Sequence, residues 1–139
     1  MTLALIGILV LVFLYFYIAT VFVGNPRVMA ELQSKPDGQL SDLVGILTLP
    51  GERKIPVNYL QEGEQVFLGA DGLWWRDFRG DGADVVVWIK GNKFRGRATL
   101  KLGDSETKDR VFPIIRPRVP EWLPDFLNAK LVVIQLYDY

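Results

Sequence analysis

From Thr2 to Val23 the chain carries no charged side chain: TLALIGILVLVFLYFYIATVFV. As an α-helix this run spans about 33 Å, against a hydrocarbon layer of roughly 30 Å. Residues 1–24 therefore read as a single transmembrane helix. A secretory signal peptide fits less well. It requires Lys or Arg ahead of an apolar stretch of about 7–15 residues and a small-x-small cleavage site behind it. Here no basic residue precedes the run, and Val21 to Val23 make a poor site. A buried core helix rarely stays apolar all round for about six turns. Arg27 and Lys35 follow the span, so the positive-inside rule places the rest of the chain in the cytoplasm. Ala4 and Gly7 are small residues three apart, and Tyr15 and Tyr17 bring hydroxyls to the hydrocarbon edge. Both features suit packing against other transmembrane helices, with a plain anchor whose tyrosines reach the headgroups as the alternative. The expected partners are the lipid bilayer and membrane protein subunits.

Composition narrows the chemistry. The 139 residues include sixteen Lys+Arg and sixteen Asp+Glu, a formal net charge of zero, which argues against a nucleic-acid partner. Histidine and cysteine are both absent. Disulfides, thiolate or imidazole metal ligation, cysteine nucleophiles and imidazole-dependent triads are thereby excluded, and no metal is expected.

Past the apolar run, Gly24-Asn25-Pro26 breaks the helix, and Pro26 is suited to open a short second one through about Ser34. Lys35-Pro36-Asp37-Gly38 is a turn signal. Residues 25–42 thus form a linker with a short helix. From Leu43 the pattern becomes strand-like: Val44 to Leu49, Ile55 to Leu60, Gln65 to Leu68, Asp84 to Lys90, Lys93 to Leu102 and Ala129 to Leu136. Short strands separated by turn-rich links predict a mainly β head over 43–139, a small antiparallel barrel or sandwich. The proline-rich segment 111–124, with Pro113, Pro117, Pro120 and Pro124, reads as an extended strap rather than a long helix. Its apolar residues, Trp122 among them, require burial on the barrel or on a partner.

The best-defined unit is a hairpin. Gly91-Asn92 as a two-residue primed turn pairs Ile89 with Phe94 and Trp88 with Arg95. Alternation assigns Val85, Val87, Ile89, Phe94, Gly96, Ala98 and Leu100 to the core. Val86, Trp88, Lys90, Lys93, Arg95, Arg97, Thr99 and Lys101 then face outward. Trp88 beside Arg95 makes a cross-strand cation–π pair, and this basic face, with Arg97, suits either plain solvent contact or a protein partner.

Between Leu43 and Leu102 the order of features resembles the deazaflavin-dependent nitroreductase family, a branch of the FMN-binding split β-barrels. The matching text is Ile46-Leu47-Thr48-Leu49-Pro50-Gly51-Glu52-Arg53-Lys54, then Ile55-Pro56-Val57-Asn58-Tyr59, Glu62-Gly63-Glu64 and Trp74-Trp75-Arg76-Asp77-Phe78. Val85 to Ile89 and Gly91 to Ala98 complete it. The resemblance implies a small antiparallel split β-barrel, with a phosphate loop at Gly51, Arg53 and Lys54. It also implies that Trp74 and Trp75 lie beside an FMN or deazaflavin ring and that Tyr59 is a proton donor; read by themselves, the tryptophans suit a core or interface anchor and Tyr59 an ordinary strand tyrosine. Departures from the family weaken this implication. Its Gly-Arg-Lys-Ser-Gly loop is cut short here, Glu52 brings negative charge to it, and Trp-x-x-Asn-Leu has become Trp74 to Phe78 with Asp77 in place of the amide. Two functions follow. The first is a membrane-anchored, non-catalytic accessory subunit of a larger complex of respiratory or photosynthetic type, with no cofactor. The second is a membrane-bound FMN- or deazaflavin-dependent oxidoreductase acting on quinone-like or nitro-aromatic substrates.

Overall fold

The computed structural model describes residues 2–19, 25–70, 72–117, 119, 122 and 129–137. Three α-helices and six strands follow in chain order: α1 (Thr2–Ala19), α2 (Asn25–Ser34), β1 (Val44–Thr48), β2 (Lys54–Glu62), β3 (Gln65–Ala70), β4 (Ala83–Ile89), β5 (Asn92–Leu100), α3 (Ser105–Ile115) and β6 (Lys130–Leu136). Among the described residues two 3-10 turns, Gln39–Asp42 and Leu73–Phe78, join them.

The strands close into an antiparallel barrel in the order β1-β2-β3-β6-β5-β4, so every strand has two hydrogen-bonded neighbours and no edge is left open. The expected small antiparallel barrel is thus present. Alternation explains how it holds together. Leu47, Val57, Val66, Leu68, Val85, Val87, Ala98, Val132 and Ile134 point inward and fill the interior. Phe78, fully buried at the end of the second 3-10 turn, belongs to the same core. A second cluster forms outside the barrel, where Val111, Phe112 and Ile115 of α3 cover Phe67, Leu131 and Val133. On another side, α2 lies against β1 and β2 and buries Leu32.

Three expectations are corrected. The first concerns the membrane: among the described residues no helix is long and apolar enough to cross one. α1 as described has 18 residues. The remainder of the apolar run, 20–24, lies outside the described residues. The single-pass reading, and with it the cytoplasmic placement of the head, is withdrawn.

The second concerns 105–115, where α3 replaces the front of the expected strap. Asp104 caps it, its carboxylate accepting from the Thr107 amide at 3.1 Å, with Glu106 in the first turn. Pro113 sits within the last turn, and the helix ends two residues later. The Asn58 amide closes that end by donating to the Ile115 carbonyl at 2.9 Å. Trp122 is exposed.

The third concerns the β4–β5 hairpin. Its faces are as expected, but the register differs: Ile89 pairs with Asn92, Trp88 with Lys93, Val87 with Phe94 and Val86 with Arg95. The turn is Lys90-Gly91, both at positive φ (50° and 83°), as a type I′ turn demands. The Lys90 ammonium lies 3.0 Å from the Asp42 carboxylate. Because the slip amounts to two residues, inward and outward sides are preserved. The Trp88–Arg95 pair is therefore replaced by Trp88 beside Lys93.

Candidate functional site

The outer face of β2-β1-β4-β5 carries two cross-strand rows. One runs Lys54–Thr48–Val86–Arg95, the next Pro56–Ile46–Trp88–Lys93, each residue facing its neighbour in register. Between them lies a groove of about 630 Å³, lined by Ile46, Thr48, Lys54, Val86, Trp88 and Lys93, with Gln33 of α2 and Glu52 of the β1–β2 turn at its margins. Its floor is apolar, and Ile46 is buried although it points away from the interior. A smaller extension of about 270 Å³ continues past Pro50 and Gly51 to Asp84 and Arg95. Lys54, Lys93 and Arg95 are all exposed and form no ion pair among the described residues. Glu52 is the one acidic side chain on the main groove. The face is thus an apolar strip flanked by cations, with a volume in the range of small-ligand or peptide-anchor sites.

Arg97, on the same side of β5, is committed elsewhere. Its Nε donates to the Asp81 carbonyl at 2.9 Å and a terminal nitrogen meets the Asp84 carboxylate at 3.1 Å, which also accepts from the Tyr137 hydroxyl at 2.5 Å. These bonds tie the segment before β4 to β5 and to the end of β6. The Tyr137 hydroxyl first, and then Arg97, hold the Asp84 carboxyl below its usual range. Stability from this carboxylate is therefore complete above the ordinary aspartate pKa of about 3.9 and is lost as the pH falls through the lower folded value. Asp84→Asn is expected to flatten the acid limb of a thermal-stability profile; an unaltered limb would show the carboxylate to be uninvolved.

The five residues assigned to a cofactor are not gathered together. Gly51 belongs to a tight turn in which Pro50 and Gly51 (φ 85°) take the two central positions of a type II turn, closed by the Glu52 amide donating to Leu49 at 3.0 Å. The Leu49 amide in turn donates to the Arg53 carbonyl at 2.8 Å, and the Arg53 side chain is exposed. Lys54 enters the groove. Trp74 lies on a separate cleft of about 120 Å³ with Pro56, Asn58, Gly69 and Arg116, while its ring meets Phe78 edge-on at 6.0 Å. Trp75 packs against the barrel core with Arg76 stacked 5.7 Å above it.

The cleft beside Trp74, at about 120 Å³, is smaller than the roughly 300 Å³ at which ligand pockets begin. The short turn, with Glu52 beside Lys54, is also a poor phosphate cradle. Tyr59 points inward, its hydroxyl donating to the Ser41 carbonyl at 2.6 Å, and burial pushes its pKa up. It is a structural tyrosine that ties the first 3-10 turn to the barrel. Arg79-Gly80-Asp81 forms a turn, with Gly80 at positive φ.

Of the residues assigned to partners, Trp88 lies on the groove and Arg95 on its extension. Ala4, Gly7 and Tyr15 are exposed on α1; for Tyr17 only the helical backbone is described. Sequence reasoning placed Val86 on the outward face but missed Ile46, Thr48 and Gln33, because their convergence depends on barrel closure and on α2. No protein-family profile matches this chain, and no characterised protein sequence matches it.

Proposed function

We propose that the chain is a non-catalytic accessory subunit that seats its barrel on a larger protein assembly. One observation carries this reading. Every described side chain of α1 from Thr2 to Phe16 is exposed, with Leu3 at 87%, Phe13 at 74% and Tyr15 at 70%. The apolar residues run around the whole helix with no polar face. A helix lying at an interface needs one apolar and one polar side, whereas a helix apolar all round belongs inside a larger structure. Apolar segments of partner subunits would supply that environment on all sides. The small residues Ala4 and Gly7 would permit close approach, as the open space around Gly7 allows.

The alternative, an FMN- or deazaflavin-dependent oxidoreductase, needs phosphate-binding and ring-stacking groups in one place. The separation of Lys54 from Trp74 and Trp75 speaks against it. An absorbance spectrum of the full chain purified from its native source in mild detergent tests the choice. The accessory reading predicts no stoichiometric flavin or deazaflavin band. Such a band would overturn it in favour of the enzyme.

A further inference from the structure

We infer that the outer groove receives an extended acidic segment of a partner protein, with one apolar side chain seated between two carboxylates. The inference rests on the accessory-subunit reading and adds the chemistry of what the barrel face recognises.

The geometry is set by the strands. Lys54 lies on β2, while Lys93 and Arg95 lie on β5, with β1 and β4 between them. Three strand spacings of about 4.8 Å separate the basic ends by roughly 14 Å. Ile46, Val86 and Trp88 occupy the space between, so the strip reads cation, apolar patch, cation. An extended chain advances about 3.3 Å per residue, and carboxylates four positions apart match that span. The residue midway between them then lies over Trp88 and Ile46. An aromatic ring is favoured there, because tryptophan in a partly enclosed apolar setting is the usual anchor of an interface.

Charge complementarity supports the acidic ends. Lys54, Lys93 and Arg95 together outnumber Glu52, which lines both the groove and its extension, and Asp84 on the extension is already engaged by Arg97 and Tyr137. Barrel closure excludes the usual route of strand addition, since no sheet edge is free to pair with an incoming peptide. Recognition therefore falls to side chains lying across the strands.

The probe is a labelled peptide, Gly-Glu-Ser-Phe-Ser-Glu-Gly, titrated against the full chain in mild detergent by fluorescence anisotropy. Saturable binding is expected, weakened about tenfold or more by Trp88→Ala and by the pair Lys54→Glu with Lys93→Glu. Added salt should weaken it, and replacing both peptide glutamates with lysine should remove it. These substitutions lie on the outer face, and circular dichroism with thermal melting checks that the barrel is retained.

Absence of binding overturns the inference, as does binding indifferent to the charge reversals or to Trp88→Ala. Vesicles rich in phosphatidylserine serve as the competing probe. If they bind in a Lys54- and Lys93-dependent way while the peptide does not, the groove is a lipid-headgroup site and the inference is wrong. Loss of peptide binding by the wild-type protein while α1 still retains partner subunits would refute the groove assignment alone. Failure to retain any subunit would refute the accessory reading itself.

Discussion

Phe78→Ala lowers the stability of the barrel by about 3–5 kcal/mol, measured by denaturant unfolding of the full chain in detergent. The side chain is fully buried, at the end of the 3-10 turn that feeds β4, and packs with the residues that fill the barrel. A closed barrel cannot collapse onto the space left behind, because its six strands are fixed to one another around the whole ring. The cavity therefore persists, and its cost adds to the lost transfer free energy. The Trp74 ring, edge-on at 6.0 Å, loses its partner as well. Against a typical domain stability of about 5–15 kcal/mol, this is a large fraction. A loss below about 1 kcal/mol would mean that Phe78 is not part of a rigid core.

Gly82→Val is expected to cost about 2–5 kcal/mol, by the same measurement. Two terms add. Gly82 sits at φ 80°, where an L side chain is strained by about 1–2 kcal/mol. A Cβ there would also lie 2.1 Å from the Ala98 carbonyl oxygen and 2.8 Å from Thr99 Cγ2. Ala98 pairs with both β4 and β6, so its carbonyl cannot move without disturbing two ladders. Relief must come from displacing the segment before β4, which the Arg97 bond to the Asp81 carbonyl helps to hold. Gly51→Ala provides the contrast. It has a similar φ of 85°, yet nothing lies within 4 Å of its would-be Cβ, so only the conformational term of about 1–2 kcal/mol applies. Equal losses at the two positions would contradict the steric argument.

These residues also show which parts of the molecule the sequence makes legible. β2, β4 and β5 are readable from a period of two. β1, β3 and β6 read as short continuous apolar runs bounded by turn residues, because α2 or α3 covers part of their outer side. The two sides of the β4–β5 hairpin were readable from the period of two. Its register was not, because Lys90-Gly91 and Gly91-Asn92 both permit a primed turn. Pro113 masks the third helix in the sequence. Asp104 as a cap, Glu106 in the first turn, and Val111, Phe112 and Ile115 on one face were the available signals.

The membrane reading failed for a different reason. Hydropathy records how apolar a run is, but among the described residues no helix is long and apolar enough to cross a membrane. The site was half legible. Outward-facing Trp88, Lys93 and Arg95 follow from alternation, but their alignment with Lys54, Thr48 and Ile46 depends on β1 pairing with both β2 and β4. That closure joins residues about forty positions apart, and periodicity carries no trace of it. The resemblance that grouped Lys54 with Trp74 and Trp75 depended on order along the chain. The structure sends Trp74 to a cleft with Arg116 and Trp75 to the barrel core.

The most direct measurement compares the tagged full chain with a version lacking residues 2–19, each isolated from native extract and assayed by mass spectrometry for co-purifying subunits at fixed stoichiometry. The exposed apolar surface of α1 predicts that a defined set of subunits accompanies the full chain and is lost on truncation, while the thermal transition of the barrel is unchanged. Retention of the same subunits without α1, or a full chain that carries none, would contradict the account.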